Sequence, residues 1–283
     1  SLVCSRPQDY LCFREMNEQE LRHVSAIWRE YFPKEAFYPQ DGRVALIHEF
    51  RNFFSSDVGQ GLFDASSLNI QKHVYFHVGI LDGLVPFSGL EGSLRSKPTE
   101  VVGCIGIAIS LIGKYKHPYD TDPFIIRPRF YGLQEDISFG DVKSSSVGQM
   151  VSMRGQVVRV SACRPLIQSA EFRCPKCLKA NLVKFEDGIF LPPVQCSTSK
   201  CYNKFLELDR STVTTTDYQR VKLTELEDVH DLESAAMTGE SAARIPRTVE
   251  IEVRDSLVNT CIPGDVLSVV GVVRAMQMEA PRG

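Results

Sequence analysis

The spacing of apolar residues changes character roughly halfway along the chain. In "NEQELRHVSAIWREYF", Leu21, Val24, Trp28 and Tyr31 recur at helical spacing and form one stripe. Asn17 stands where an N-cap belongs and Glu20 follows three residues later, an asparagine form of the capping box. Pro33 stops this helix. Val44, Ile47, Phe50 and Phe54 repeat the pattern in "VALIHEFRNFF". A third helix is expected to begin near Pro98, with Thr99 and Glu100 in its first turn, and to run through "VVGCIGIAISLI". It is apolar on nearly every side, which places it at the centre of a small helical domain. Between the second and third helices, "KHVYFHVGI" alternates, with Val74, Phe76, Val78 and Ile80 on one side and His73, Tyr75 and His77 on the other, as in a half-buried strand. His73 and His77 would then lie about 13 Å apart, too far to share a metal, and read as polar positions on an exposed face.

"KHPYDTDPFIIRPRF", with Pro118, Pro123 and Pro128, reads as a linker, and beyond it short strands take over. In "QMVSMRGQVVRVS", Val151 and Met153 share one face, while Val158 and Val160 follow with the opposite parity, so a bulge or bend is expected at Gly155. "YQRVKLTEL", "RTVEIEVR" and "DVLSVVGVVRAM" are three further strands, and "CIPGD" is a Pro-Gly turn before the last of them. Short strands with turn signals and one long insertion suggest a small barrel of the OB type. The fold class expected is therefore α+β in several parts, a helical bundle followed by an OB barrel with an inserted metal-binding ribbon. The divisions fall at 1–117 (helical), 118–170 (linker and first part of the barrel), 171–210 (insertion) and 211–283 (remainder of the barrel).

The chain's 283 residues, 43% hydrophobic and 24% charged, fit one or two soluble domains, and no apolar run reaches the length of a membrane span. "SLVCSRPQDY" has no starting Met and none of the features of a signal peptide, so the sequence is expected to be part of something longer. The net charge of −3 conceals an asymmetry. From Val142 to Lys184 the basic residues Lys143, Arg154, Arg159, Arg164, Arg173, Lys176, Lys179 and Lys184 face Glu171 alone, whereas 225–240 is acidic without Lys or Arg. Of the nine cysteines, Cys4, Cys12, Cys104, Cys163 and Cys261 are scattered among apolar neighbours, as buried free thiols are, which suits a reducing compartment, cytosol or nucleus.

The other four, Cys174, Cys177, Cys196 and Cys201, form C-x2-C-x18-C-x4-C within "FRCPKCLKANLVKFEDGIFLPPVQCSTSKC". A two-residue gap lets both thiolates of a pair turn onto one ion, and four thiolates close a tetrahedral zinc shell with Zn–S distances of about 2.3 Å. Lys176 and Lys179 would offset the roughly −2 charge of such a centre. Asp187-Gly188 is a hairpin signal, so the insertion is expected to be a zinc ribbon. A redox site would instead show one C-x-x-C beside a βαβ unit. A closed shell leaves no coordination position for catalysis. No nucleotide site is found: the nearest hint of a P-loop, at Gly113–Tyr115, has Ala108 in place of its first glycine and Tyr115 in place of Ser or Thr. Arg154 and Arg159 should leave the barrel opposite its apolar residues, and Arg164 follows in the loop, so these three can track phosphates. Arg244 and Arg247, around "RIPR", are further candidates, and an ordinary solvated face is the competing reading for all five.

Taken in order, "VSMRGQVVRVSACRPLIQSAEFRCPKC", the second cysteine pair, "YQRVKLTEL" and "ARIPRTVEIEVRDSLVNTCIPGDVLSVVGVV" resemble the N-terminal half of the minichromosome maintenance (MCM) helicases. "FEDGIFLPPVQC", the x4 gap and "IPRTVEIEVRDSLV" are most similar to the eighth member, a helicase of recombination and repair. The resemblance implies a helical A-domain, a zinc ribbon and an OB fold forming a hexameric collar around DNA. It also implies a nuclear protein that pairs with the ninth member in a mixed ring and acts in crosslink repair and meiosis. ATP and magnesium belong to a C-terminal AAA+ motor that these residues lack, and the chain stops near the family's DNA-facing hairpin, so the barrel's returning strand is expected to be missing. A stand-alone nucleic-acid-binding OB/zinc-ribbon protein and a purely structural assembly module are the other readings.

Overall fold

The computed structural model describes residues 16–64, 72–85, 89–116, 124–185, 190–226 and 246–275. The chain divides into two compact units, residues 1–153 with 269–283, and residues 154–268.

The first unit contains α1 (Glu18–Tyr31), α2 (Gly42–Ser55), α3 (Asp57–Gln60), β1 (His73–His77), α4 (Val78–Leu84), α5 (Leu90–Ser96), α6 (Pro98–Lys116) and β2 (Arg127–Tyr131). The capping box of α1 is complete, with the Glu20 N–H donating to Asn17 Oδ1 at 2.8 Å and the Asn17 N–H donating to Glu20 Oε2 at 3.1 Å. Glu20 is buried, and its other oxygen is matched by the Arg51 guanidinium at 2.7 Å and the Tyr115 hydroxyl at 2.8 Å. Helix α6 buries an unbroken run from Gly103 to Gly113, as expected of a central helix. Gly103 and Gly106 let the end of α1 approach it closely: a Cβ at these positions would stand 2.6 Å from the Phe32 ring and 2.4 Å from the Tyr31 ring. Trp28, Phe50, Phe54, Ile105 and Ile109 lie at the heart of this core. Gly113–Tyr115, the P-loop hint, lie in the last turns of α6.

Two expectations about this unit need correction. The alternating strand ends at His77, because the chain turns helical at Val78 and leaves Ile80 exposed. His77 is the cap: its Nδ1 accepts from the Ile80 N–H at 3.4 Å, and its ring meets Tyr131 edge-on at 5.2 Å. The ring also covers Gly132, whose φ of +72° and lack of a Cβ permit the contact. The second correction concerns the proline-rich stretch, where residues 127–131 form β2 and pair in parallel with β1. Pro128, opposite Val74, is tolerated because β2 has a single strand partner among the described residues and needs fewer ladder donors.

The remaining strands are β3 (Met150–Val160), β4 (Arg164–Arg173), β5 (Ala180–Lys184), β6 (Glu207–Thr224), β7 (Thr248–Arg254) and β8 (Val266–Val272). They form one six-stranded sheet in the order β5-β4-β6-β3-β8, with β7 also on β6. Strand β6 runs for 18 residues, its first part paired with β4 and its last part lying between β3 and β7. The parity change in β3 is real but lies at Val158, not Gly155. Val157 faces Leu223 and Arg159 faces Lys222, so one extra residue is accommodated between them. Burial agrees, with Val157 at 2% exposure and Val158 at 52%. Buried Gln219 locks the turn after β3, donating from Nε2 to the Ser161 carbonyl at 2.8 Å and to Asn259 Oδ1 at 3.1 Å. The hairpin signal at Asp187–Gly188 lies outside the described residues, while Gly264 takes φ +103° in the predicted Pro-Gly turn.

Candidate metal centre and cationic sheet face

Strands β5, β4 and β6 form a three-stranded segment packed on Ala170, Phe172 and Phe185, and the four clustered cysteines sit at one end of it. Cys174 and Cys177 occupy the turn leaving β4, closed by the Cys174 N–H on the Lys179 carbonyl at 3.1 Å and by the Leu178 N–H on the Cys174 carbonyl at 2.8 Å. Leu178 takes φ +58° to complete it. The second pair is held by the Cys196 N–H on the Asn203 carbonyl and the Cys201 N–H on the Thr198 carbonyl, each at 2.9 Å. This Thr198–Cys201 turn is what the longer x4 gap contains.

All four sulfurs lie within 4.8 Å of one another, with Cys174 and Cys201 at 3.7 Å and Cys177 and Cys196 at 3.6 Å. A tetrahedron with Zn–S bonds of about 2.3 Å has sulfur–sulfur edges of about 3.8 Å, so the donor set fits one such ion. Backbone N–H groups two residues ahead point at three of the sulfurs: Lys176 at Cys174, Thr198 at Cys196 and Asn203 at Cys201. The Asn203 amide donates to Cys174 Sγ at 3.5 Å and, helped by the Cys177 and Lys176 N–H groups, brings that thiol down to about 6. Thr198, by hydroxyl and by N–H, likewise lowers Cys196. Cys201 goes the other way, up to about 11: the Asn203 N–H favours its thiolate, but desolvation and the adjacent sulfurs outweigh it. Four thiols this close cannot all ionise without a cation among them, and a divalent metal removes that conflict. The cluster can therefore hold a metal ion, and its geometry is compatible with structural zinc. It is the one group of three or more His, Cys, Asp or Glu ligands found among the described residues.

The other thiols are less uniform than the sequence suggests. Cys104 is buried and pushed up to about 12 by desolvation, whereas Cys163 is exposed and Cys261 only half-buried. Cys4 and Cys12 lie outside the described residues.

Three of the five candidate arginines share one outward face. Arg154 and Gln156 project from β3 away from the core, and the bulge at Val158 returns Arg159 to the same side, opposite Lys222. Arg164 stands opposite Tyr218, which follows the same parity on β6 as Arg220 and Lys222. On the β7 side, Glu250 and Glu252 engage Arg220 at 3.7 and 3.9 Å, and Tyr218 donates to Glu252 at 2.7 Å. The acids of β7 thus face Arg220 and, at Glu250, its ladder partner Lys222, and leave Arg154, Arg159 and Arg164 without an acidic partner among the described residues. Arg247 is exposed at the entrance to β7, its carbonyl accepting from the Glu225 N–H at 3.0 Å, and Arg244 lies outside the described residues. Sequence reasoning missed Lys222, although the alternation of Tyr218, Arg220 and Lys222 carried the signal. It also missed Asn203 and Thr198, whose roles depend on a turn that no spacing reveals.

Residues 138–277 match the family model described as the MCM OB domain, a range that spans the cysteine cluster and the cationic face. The protein named "Probable DNA helicase MCM8" from Oryza sativa subsp. indica is 32% identical over 261 residues, covering 89% of this chain and 31% of the relative. Its namesake from Arabidopsis thaliana is 32% identical over 240 residues, covering 82% of this chain and 29% of the relative. "DNA helicase MCM8" from Homo sapiens is 26% identical over 277 residues, covering 89% and 31%. The chain therefore spans about a third of the length of the curated relatives it matches. With an OB domain, a four-cysteine cluster and relatives of this kind along most of its length, the chain belongs to the minichromosome maintenance family and corresponds to the N-terminal part of its MCM8-type members.

Proposed function

We propose that this chain is the collar of an ATP-dependent DNA helicase, holding DNA and assembling subunits while ATP and magnesium are handled by a C-terminal motor. The observation that carries the reading is the outward face of β3, β4 and β6, where Arg154, Arg159 and Arg164 gather without acidic partners among the described residues, with Lys222 beside them. Such a face holds phosphates in a sequence-independent way. Cys174, Cys177, Cys196 and Cys201 bind a structural zinc that stiffens the end of the β5-β4-β6 segment. The relatives' names support a helicase, and the family resemblance supports a nuclear protein of homologous recombination and DNA repair that joins the ninth family member in a hexameric ring.

Titration of single-stranded DNA against salt tests the DNA-holding role. Affinity should fall linearly on a log–log plot, and Arg154→Gln with Arg159→Gln should reduce the slope by about 1.4, at roughly 0.7 for each phosphate no longer neutralised. A flat, weak response in the unmodified chain would sink direct DNA binding and leave a structural assembly module.

A further inference from the structure

The tip of the cysteine segment carries a second cluster of cations, this time with aromatic rings among them. Around the second cysteine pair the sequence reads Lys200-Cys201-Tyr202-Asn203-Lys204-Phe205. Cys201 and Asn203 turn inward, the first by its sulfur and the second by its amide on Cys174 Sγ. Asn203 also clamps the Phe205 backbone, donating to its carbonyl at 2.8 Å and accepting from its N–H at 3.3 Å. Leu206 packs against the cysteines. With those residues committed to the interior, Tyr202 and Phe205 are held outward, at 78% and 82% exposure.

A Phe ring held this openly on a braced backbone is available to a partner, and the surrounding charge indicates the chemistry of one. Between Phe172 and Leu206 the basic residues are Arg173, Lys176, Lys179, Lys184, Lys200 and Lys204, and the segment's two acids, Glu186 and Asp187, lie outside the described residues. Arg173 is shared with Asp209 at 3.6 Å, while Lys176, Lys179, Lys200 and Lys204 are all exposed. Protein–protein interfaces are depleted in lysine at their apolar cores. Rings interleaved with lysines instead match what an unpaired nucleic-acid strand requires, flat surfaces for its bases and cations for its phosphates. The strands of the cationic sheet face offer few rings, so it can hold phosphates but has little with which to take up a base.

We propose that Tyr202 and Phe205, flanked by Lys200 and Lys204, form a stacking site for unpaired bases of single-stranded nucleic acid, separate from the phosphate-tracking face of β3, β4 and β6. The site deepens the DNA-binding reading above and rests on it.

The test compares the purified chain on an oligo-thymidine strand and on an abasic strand of equal length. Stacking predicts a thymidine preference of about tenfold or more, lost in the Tyr202→Leu/Phe205→Leu variant, which keeps apolar side chains at both positions. Lys200→Gln/Lys204→Gln should weaken both strands alike and lower the salt slope by about 1.4. Zinc content equal to that of the unmodified chain shows that the variants retain the cluster. Equal binding of the two strands by the unmodified chain overturns the stacking site alone and leaves the phosphate face standing. No binding to either strand overturns both. A leucine variant that keeps its base preference but loses self-association replaces the nucleic acid with a protein partner.

Discussion

Asp41 joins local capping to the core of the helical unit. Its carboxylate accepts from the Arg43 N–H at 2.9 Å at the start of α2 and from Arg43 Nε at 3.0 Å. The guanidinium it fixes lies over the rings of Trp28 and Phe32, at 4.8 and 4.5 Å. The Arg43 side-chain bond holds Asp41 below the ordinary carboxylate range, against the effect of burial. A carboxyl group depressed in the folded state adds stability above its unfolded value, and that stability is lost as the pH falls through the folded value. Asp41→Ala should cost about 1–2 kcal/mol at neutral pH and nothing additional in strong acid, as read by urea unfolding at both. At this scale the sequence was clearest where chemistry imposes a spacing. The four clustered cysteines and the α1 capping box could be read directly, whereas Asn203 acts through a turn whose shape depends on the finished cluster.

Among the elements, α1 was legible because cap, stop and periodicity agree, α2 by its periodicity, and α6 by a long apolar run that opens on Pro98. Strand β2 was not, since five residues containing a proline carry no alternation strong enough to stand out from a linker. Parity shows that a bulge exists without locating it: Gly155 and Val158 both reconcile the apolar positions of β3. Point substitutions separate the two registers. Val157→Ala should cost about 2 kcal/mol because that side chain is enclosed against Leu223, while Val158→Ala should stay within about 0.5 kcal/mol. Equal losses in chemical denaturation, or the reverse order, would place the bulge back at the glycine. Either position leaves Arg159 on the outward face, and what the position decides is whether Val157 or Val158 enters the core.

For the whole molecule, each unit has its own core, the first around Trp28, Phe50 and Ile105 and the second around Ala170, Phe172 and Phe185 at the cysteine end. Removal of zinc should therefore melt one part selectively. Cys177→Ser, or chelation of the native chain, is expected to abolish a low-temperature calorimetric transition while the transition of the helical unit stays within a few degrees. Retention of one equivalent of zinc by Cys177→Ser would overturn the ligand assignment. The family and the OB-type sheet were legible from the order of motifs, but the clustering of Lys222 with three arginines was not, because it arises from pairing between strands distant in sequence. Strand β6 has a consequence for how such a protein can change. One continuous backbone of 18 residues carries the cysteine segment at one end and Lys222 at the other. Between Tyr218 and Leu223, where β6 pairs with β7 residue for residue, a single inserted residue would turn Leu223 outward and Lys222 inward. Lengthening is tolerable at 190–195, ahead of the second cysteine pair, and at 210–213, where β6 already carries more residues than β4, whereas 218–224 can accept changes of side chain and not of length.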